Sequence, residues 1–377
     1  MLSRNRQSHL DAIALICWYL ITMSHHIAID VRCLQDASRF RGIGAVIRQL
    51  LPFFKDDPLF VLFATQKGPD FDAFGMNVLY FDGPSGALPD FLKDNGVTHF
   101  HFMAQYNVPE NFLFPHTITV HDLFTRYSGK NNKKDAQLVA QMRPRLALAK
   151  AWFVISEFVK KDLIERLQFS EASIFVIPPG VPDAIKNATP DFSIISDKKI
   201  NLPFVLAIGD FEPRKNMLAM IAAFLRFNQD KNTLFVACIG KGTMVPLPLL
   251  VRLWLTGRLK EFRFVNYLEV PKMAALYRQA KALCFVSKAE GFGLPVLEAL
   301  QVNLPVLTST KTSLPEVGQD AVMYADPDSV EDISKQLREI LTHPIQNDAG
   351  PILAQFTFEK MAAQMKAQFF VLIPDVQ

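Results

Sequence analysis

Cysteine is scarce in this chain: 377 residues hold 4 of them, Cys17, Cys33, Cys238 and Cys284. They lie far apart, with no Cys-x-x-Cys pair and no histidine at metal-ligand spacing. That argues against a disulfide framework or a structural zinc site and reads as reduced, mostly buried thiols in a cytoplasmic protein. An excess of one charge is also missing, because 40 Lys and Arg stand against 37 Asp and Glu with no sustained basic stripe. Nucleic acid is therefore not an expected partner. The apolar run Ala12 to Ile21, preceded by Arg4 and Arg6, is too short to span a bilayer and has no small-x-small cleavage site after it. Residues 1–22 read as an extension of open status: an over-extended start ahead of Met23, or a peripheral anchor at the inner face of the membrane. Internal repeats and low-complexity tracts are absent.

What is present is apolar and alternating. Half of the residues are hydrophobic, more than one core normally organises at this length, so two domains are expected. Short Val/Ile/Phe-rich runs alternate with helical patterns, the signature of parallel sheets with crossover helices. A first series comprises Ile27–Val31, Leu59–Ala64, Val78–Phe81, Val97–Met103, Thr117–Val120, Trp152–Ile155 and Ile174–Ile177. A second comprises Phe204–Ile208, Leu234–Ile239, Phe264–Tyr267, Ala282–Val286, Pro305–Thr308 and Val322–Tyr324. The polar stretch Thr189 to Asn201 between them is the expected linker. Ser156 is placed as the cap of a helix carrying Phe158, Val159, Leu163, Ile164 and Leu167, and a second helix after Arg214 is expected to bury Leu218, Ile221, Ala222 and Leu225. The apolar segment Val245 to Leu255, followed by Arg258 and Lys260, reads first as a buried helix and second as a membrane-docking surface.

The segment Phe285-Val-Ser-Lys-Ala-Glu-Gly-Phe-Gly-Leu-Pro-Val-Leu-Glu298 carries the most chemistry. A buried strand passes through a glycine turn into a helix whose first turn suits Pro295. Gly291 and Gly293 allow close backbone approach, and the helix N-terminus aims N–H groups and a positive dipole at an anion such as phosphate. Glu290 and Glu298 flank the turn, and ionised carboxylates accept hydrogen bonds from sugar hydroxyls. Arg214 and Lys215 follow the strand ending at Ile208, where the ligand crevice of an open α/β sheet lies, and can neutralise a diphosphate leaving group. On the residues alone, an ordinary strand-to-helix turn beside a solvated helix start remains open. Asp70-Phe-Asp72 and Asp326-Pro-Asp328 have the spacing of a metal-binding Asp-x-Asp pair. The former sits in a loop of the first half and Asp328 is suited to cap the helix near Val330, so no metal site is expected. Glu316 is expected to cap or brace a loop behind the donor site.

Arg214-Lys-Asn216, Glu290 to Glu298, Ser313-Leu-Pro-Glu-Val317 and Ile177-Pro-Pro-Gly-Val181 together resemble family 4 of the retaining GT-B glycosyltransferases. The likeness runs from about Ile27 to the C-terminus and is most specific in the second half. It implies an α/β GT-B fold, two Rossmann-like domains whose parallel sheets face across a deep cleft. The expected division is residues 23–195 for the acceptor, 196–357 for the nucleotide-sugar donor, and 358–377 as a helix, Phe358 to Phe370, returning to the first domain. It implies that Glu290 contacts the donor sugar, Glu298 the ribose, and Arg214 and Lys215 the diphosphate, with Gly291, Phe292, Gly293 and Leu294 lining the donor. In the first domain Gly42 and Gly44, within Arg41-Gly-Ile-Gly44, approach the donor phosphate, and His121-Asp122 the reacting sugar. Ala289 and Val286 depart from the family's usual Tyr and Pro.

The implied activity is retaining, metal-independent hexosyl transfer with no cofactor, to a glycan or lipid-linked saccharide in envelope or exopolysaccharide synthesis. GDP-mannose is favoured as donor through the likeness to bacterial mannosyltransferases, and peripheral membrane contact stays open. The competing readings are a catalytically inactive nucleotide-sugar binder, a GT-B epimerase or phosphorylase, and a dinucleotide oxidoreductase. The last lacks the Gly-x-Gly-x-x-Gly turn and its acidic partner.

Overall fold

The structure is a computed structural model that describes residues 26–40, 42–66, 68–123, 140–345 and 347–373. Strands β1 (His26–Asp30), β2 (Phe60–Ala64), β3 (Val78–Tyr80), β4 (Val97–Phe102), β5 (His116–Val120), β6 (Ala151–Val154) and β7 (Ile174–Val176) form a 7-stranded sheet ordered β3-β2-β1-β4-β5-β6-β7. Strands β8 (Phe204–Ile208), β9 (Leu234–Cys238), β10 (Phe262–Val265), β11 (Ala282–Phe285), β12 (Val306–Ser309) and β13 (Met323–Ala325) form a 6-stranded sheet ordered β10-β9-β8-β11-β12-β13. All pairings are parallel. Strands buried on both faces, such as Phe60–Ala64 and Leu234–Cys238, explain why the apolar runs are continuous rather than alternating.

Each sheet reverses its strand order once. In the first the reversal lies between β1 and β4, and in the second between β8 and β11. Ligands of open α/β sheets bind beyond the carboxyl ends of strands at such reversals. The segments that leave those ends are the ones carrying Gly42 and Gly44, Arg214 and Lys215, and Glu290. His121 follows β5, beside β4.

Crossover helices cover both sheets: α1 (Gly42–Leu50), α2 (Leu88–Asp94), α3 (Glu157–Leu167), α4 (Met217–Phe227), α5 (Leu247–Leu255), α6 (Val270–Gln279), α7 (Leu294–Gln301) and α8 (Val330–Thr342). The final helix, α9 (Phe358–Leu372), crosses back to the first sheet. Phe369 packs against Phe60, His101 and Phe153, with ring centroids 5.2 to 5.8 Å apart. Lys366 reaches Asp57 at 3.0 Å. Residues 1–25, with the expected extension, lie outside the described residues.

Several expectations shift. The strand expected at Phe264–Tyr267 starts at Phe262, because Phe262 through Val265 pair with Phe235 through Cys238. The expected linker is not uniformly polar: Ser193–Asp197 forms a helical turn, and Ile194 and Ile200 are buried. In α4 the buried residues are Met217, Met220, Ile221, Ala223 and Phe224, whereas Leu218 is 54 % exposed. Nearly every position of α4 is apolar, so period alone cannot choose its inward face; Asn216, in left-handed conformation (φ 59°), sets the rotation by donating to Val286 O at 3.0 Å and Pro327 O at 2.8 Å. The first reading of Val245 to Leu255 as a buried helix is overturned. Only Leu253 of α5 is buried, because the helix lies on the outer surface of the second sheet.

Candidate active site

The loop from β11 to α7 is held in place before any ligand is considered. Lys288 N donates to Arg214 O at 2.7 Å, which ties it to the loop after β8. Thr312 Oγ1 accepts from Glu290 N at 3.1 Å, and Ser313 Oγ lies 2.8 Å from Glu290 O and 2.7 Å from Phe292 O. Gly293 sits at φ +128°, a conformation that L side chains rarely adopt, immediately before α7. No side chain caps α7; Pro295 brings no N–H to its first turn and Val296 N donates to Gly293 O at 3.0 Å, so what the helix offers the turn is chiefly the positive end of its dipole.

Glu290 is buried and gathers both cations of the opposite loop. Lys215 Nζ lies 2.8 Å from each of its carboxylate oxygens, and Arg214 Nη1 lies 3.5 Å from Oε2. Arg214 Nε also donates to Glu212 at 2.8 Å. Burial opposes the Arg214 charge, yet Glu290, Glu212 and Asp122 outweigh it and raise its pKa. A diphosphate entering here meets two cations already drawn together by a carboxylate that can release them to accept hydroxyl hydrogens instead. Glu298, in the second turn of α7, accepts from Tyr277 Oη at 2.7 Å. Burial raises the Glu298 pKa while the tyrosine hydrogen bond opposes that shift.

The first sheet supplies the opposing wall. His121 is buried and its Nε2 lies 2.7 Å from Met103 O; since a carbonyl only accepts, Nε2 carries the hydrogen and Nδ1 is the acceptor of the neutral ring. Burial pushes its pKa down to about 4 despite that bond. Gln105 fixes the segment, accepting from His121 N at 3.2 Å and donating to Asp122 O at 2.7 Å.

The two walls touch. A Cβ on Gly291 would come within 2.0 Å of His121 O, and one on Gly42 within 3.3 Å of Leu294. Ser156 Oγ, which accepts from Val159 N at the start of α3, donates to Gly291 O at 2.7 Å. Glu316 accepts from the backbone N–H groups of Glu157 and Phe158 at 2.9 and 2.8 Å. It therefore braces the opposite domain's helix rather than a loop behind the donor site.

Two family models match adjoining parts of the chain: "Glycosyltransferase Family 4" over residues 89–184 and "Glycosyl transferases group 1" over residues 190–350. The chain belongs to the family 4 GT-B glycosyltransferases. The O-antigen chain mannosyltransferase B of Escherichia coli is 25 % identical over 300 residues, covering 78 % of this chain and 74 % of the relative. The serotype-specific mannosyltransferase WbdA of Escherichia coli is 32 % identical over 204 residues, 52 % of this chain but only 25 % of that longer protein. Among solved structures, the sucrose-phosphate synthase of Thermosynechococcus elongatus superposes with a TM-score of 0.70 at 16 % identity, covering 93 % of this chain and 99 % of that one. Anabaena Alr3699/HepE in complex with UDP and glucose gives 0.69 at 14 % identity, covering 92 % and 100 %. These structures share the GT-B fold.

For a member of this family, the structure brings together Arg214, Lys215 and Glu290, and sets Gly291 to Leu294 against His121, Asp122 and Gly42. Gly44 is placed differently: a Cβ there would meet Arg39 and Ser38 backbone at 2.6 and 2.7 Å, so it serves the turn before α1. Arg41 lies outside the described residues. Asp328 does not cap α8; Ser329 does, accepting from Asp332 N at 3.1 Å, while Asp328 pairs with Lys288 at 2.6 Å. Asp72 Oδ1 accepts from Phe74 N in a local turn at 2.8 Å. Among the described residues no group of three or more His, Cys, Asp or Glu is arranged to hold a metal ion. Cys33, Cys238 and Cys284 are free and buried, and burial pushes the last two thiols up to about 12; Cys17 lies outside the described residues. Sequence reasoning missed Tyr277, Gln105 and the link from Ser156 to Gly291. Ser156 had a signal, as a helix cap, but nothing in its neighbourhood named a partner 135 residues away.

Proposed function

We propose that this glycosyltransferase is a retaining, metal-independent mannosyltransferase that uses GDP-mannose and extends a glycan or lipid-linked saccharide in envelope or exopolysaccharide synthesis. Its place is the cytoplasmic side of the membrane. The carrying observation is the cluster of Lys215, Arg214 and Glu290 at the strand-order reversal, with His121 against the adjoining Gly291. Paired cations suit a diphosphate leaving group, and a buried carboxylate beside them suits sugar hydroxyls. Mannose is favoured by the mannosyltransferases among the relatives.

In this reading the acceptor oxygen bonds to the sugar's anomeric carbon on the face from which the diphosphate departs. The acceptor hydroxyl's proton passes to the departing phosphate oxygen, while Lys215 and Arg214 stabilise the charge left there. Neutral His121, oriented by Met103 O, bounds the sugar, and catalysis rests on positioning and electrostatics.

The test is thermal unfolding with GDP, UDP, ADP and NAD, each with and without EDTA, followed by proton NMR of the product anomer. A ligand at 100 times its dissociation constant adds about 2.7 kcal/mol. Stabilisation by GDP that survives EDTA, with an axial anomeric product, is expected. An inverted anomer overturns the retaining reading, EDTA sensitivity the metal independence, and stabilisation by another diphosphate the donor. Nucleotide binding with no transfer marks an inactive binder.

A further inference from the structure

Helix α5 exposes what a soluble surface normally hides. Leu247, Val251, Trp254 and Leu255 fall on one face at helical spacing, opposite the buried Leu253. Their exposure runs from 45 % at Val251 to 71 % at Leu255, and Met244, just ahead of the helix, reaches 85 %. A contiguous apolar face this exposed marks an interaction surface.

Its border is cationic. From Lys241 to Lys260 the chain has Lys241, Arg252, Arg258 and Lys260 and no acidic residue. Arg258 is held by Glu261 and Asn228 O, whereas Arg252 and Lys260 are exposed. Long cationic side chains beside an apolar helix face, with a tryptophan among the apolar residues, match the boundary between lipid headgroups and acyl chains. The placement suits the cleft as well. The segment leaves the carboxyl end of β9, which pairs with β8, so it starts at the same edge of the sheet as Arg214 and Lys215.

We infer that the α5 face is a docking surface for an anionic lipid bilayer, with Leu247, Val251, Trp254 and Leu255 entering the interface and Arg252 and Lys260 meeting headgroup phosphates. Among the described residues no helix is long and apolar enough to cross a membrane, so contact here is in the plane of the surface. The surface is independent of the donor reading, since none of its residues belongs to the donor loops.

The experiment is co-sedimentation of the full chain with vesicles of phosphatidylcholine alone and of phosphatidylcholine with phosphatidylglycerol. Wild type is expected to partition onto the anionic vesicles, with a blue shift of Trp254 emission measured in a Trp18→Phe, Trp152→Phe background. Leu247→Ser with Trp254→Ser lowers partitioning at least about tenfold, and Arg252→Gln and Lys260→Gln each lower it about fivefold. Unchanged partitioning in these variants, or equal binding to neutral vesicles, overturns the proposal. So does a concentration-dependent dimer that the serine variant abolishes, because the occupant is then a second copy. Thermal stabilisation by GDP, expected to be equal in wild type and variants, is the separate readout for the donor site; its absence in all of them counts against the donor reading and not against the surface.

Discussion

The carboxyl ends of the two sheets face one another with different electrostatic characters. On the second sheet charge is gathered: Lys215 and Arg214 share Glu290, and no side chain caps the helix beside them. On the first sheet charge is suppressed or locked. Asp30, at the end of β1, is buried and held by Arg32 at 2.8 Å and Asn107 at 3.1 Å. Between β4 and β5 runs a neutral chain in which Thr117 Oγ1 joins His99 and His101, and Thr119 Oγ1 meets the other ring nitrogen of His101. In the proposed reaction the half that meets the changing charge would keep its ions paired, while the other half would present neutral groups that a passing charge cannot easily reorganise.

The comparison breaks most completely at the ionic end. Glu290→Ala and Lys215→Ala are each expected to lower kcat about 10²- to 10³-fold, the range for removing one preorganised electrostatic contact; steady-state transfer assays check this, and near-wild-type rates in both would remove the site assignment. Next comes the seam between the halves. Gly291 has no positive φ, so Gly291→Ala leaves its own loop unstrained but places a Cβ against His121 O. About a hundredfold loss of kcat is expected from misaligned walls, with GDP binding by calorimetry preserved. A smaller effect sharpens the ionic side. Glu298→Ala is expected to raise the donor KM about tenfold with little change in kcat, and Tyr277→Phe to raise it less, since it removes one hydrogen bond to the carboxylate.

The neutral end is tested by acid. Burial, with Lys150 and His116 nearby, pushes His99 down to about 3, and burial foremost lowers His101 as well. The unfolded chain, whose histidines titrate near 6.5, then binds more protons than the folded one between those values, so stability is full above about pH 6.5 and falls as pH drops toward 3. His99 alone accounts for about 3 kcal/mol by pH 4.5. Urea unfolding at pH 7.5 and 5 is expected to show this slope, and His99→Gln to flatten it.

Much of this was legible beforehand. Both strand series were placed within a residue or two, because a strand buried on both faces must be a short apolar run. The motif residues Arg214, Lys215 and Glu290 converge because each lies just past a strand end, and the sheet's order makes those ends neighbours. What failed shares a cause. The inward face of α4 and the burial of Val245 to Leu255 could not be read from apolar content, because a helix apolar on several faces carries no statement of which face meets the core. The partners of Glu316 and Ser156 lie on the other domain, and no local spacing encodes a contact across a cleft.

By itself, then, the sequence determined the alternation of strands and crossover helices, the two sheets, and the residue types at the turn from β11 to α7, since these follow from local periodicity and from backbone rules for glycine and proline. Only the tertiary structure decided that Glu290 holds both cations, that Tyr277 holds Glu298, that Gly291 is needed for contact with His121, and that α5 is exposed. Those depend on distances between segments far apart in the chain, and such distances are set by packing of the whole rather than by any window of it.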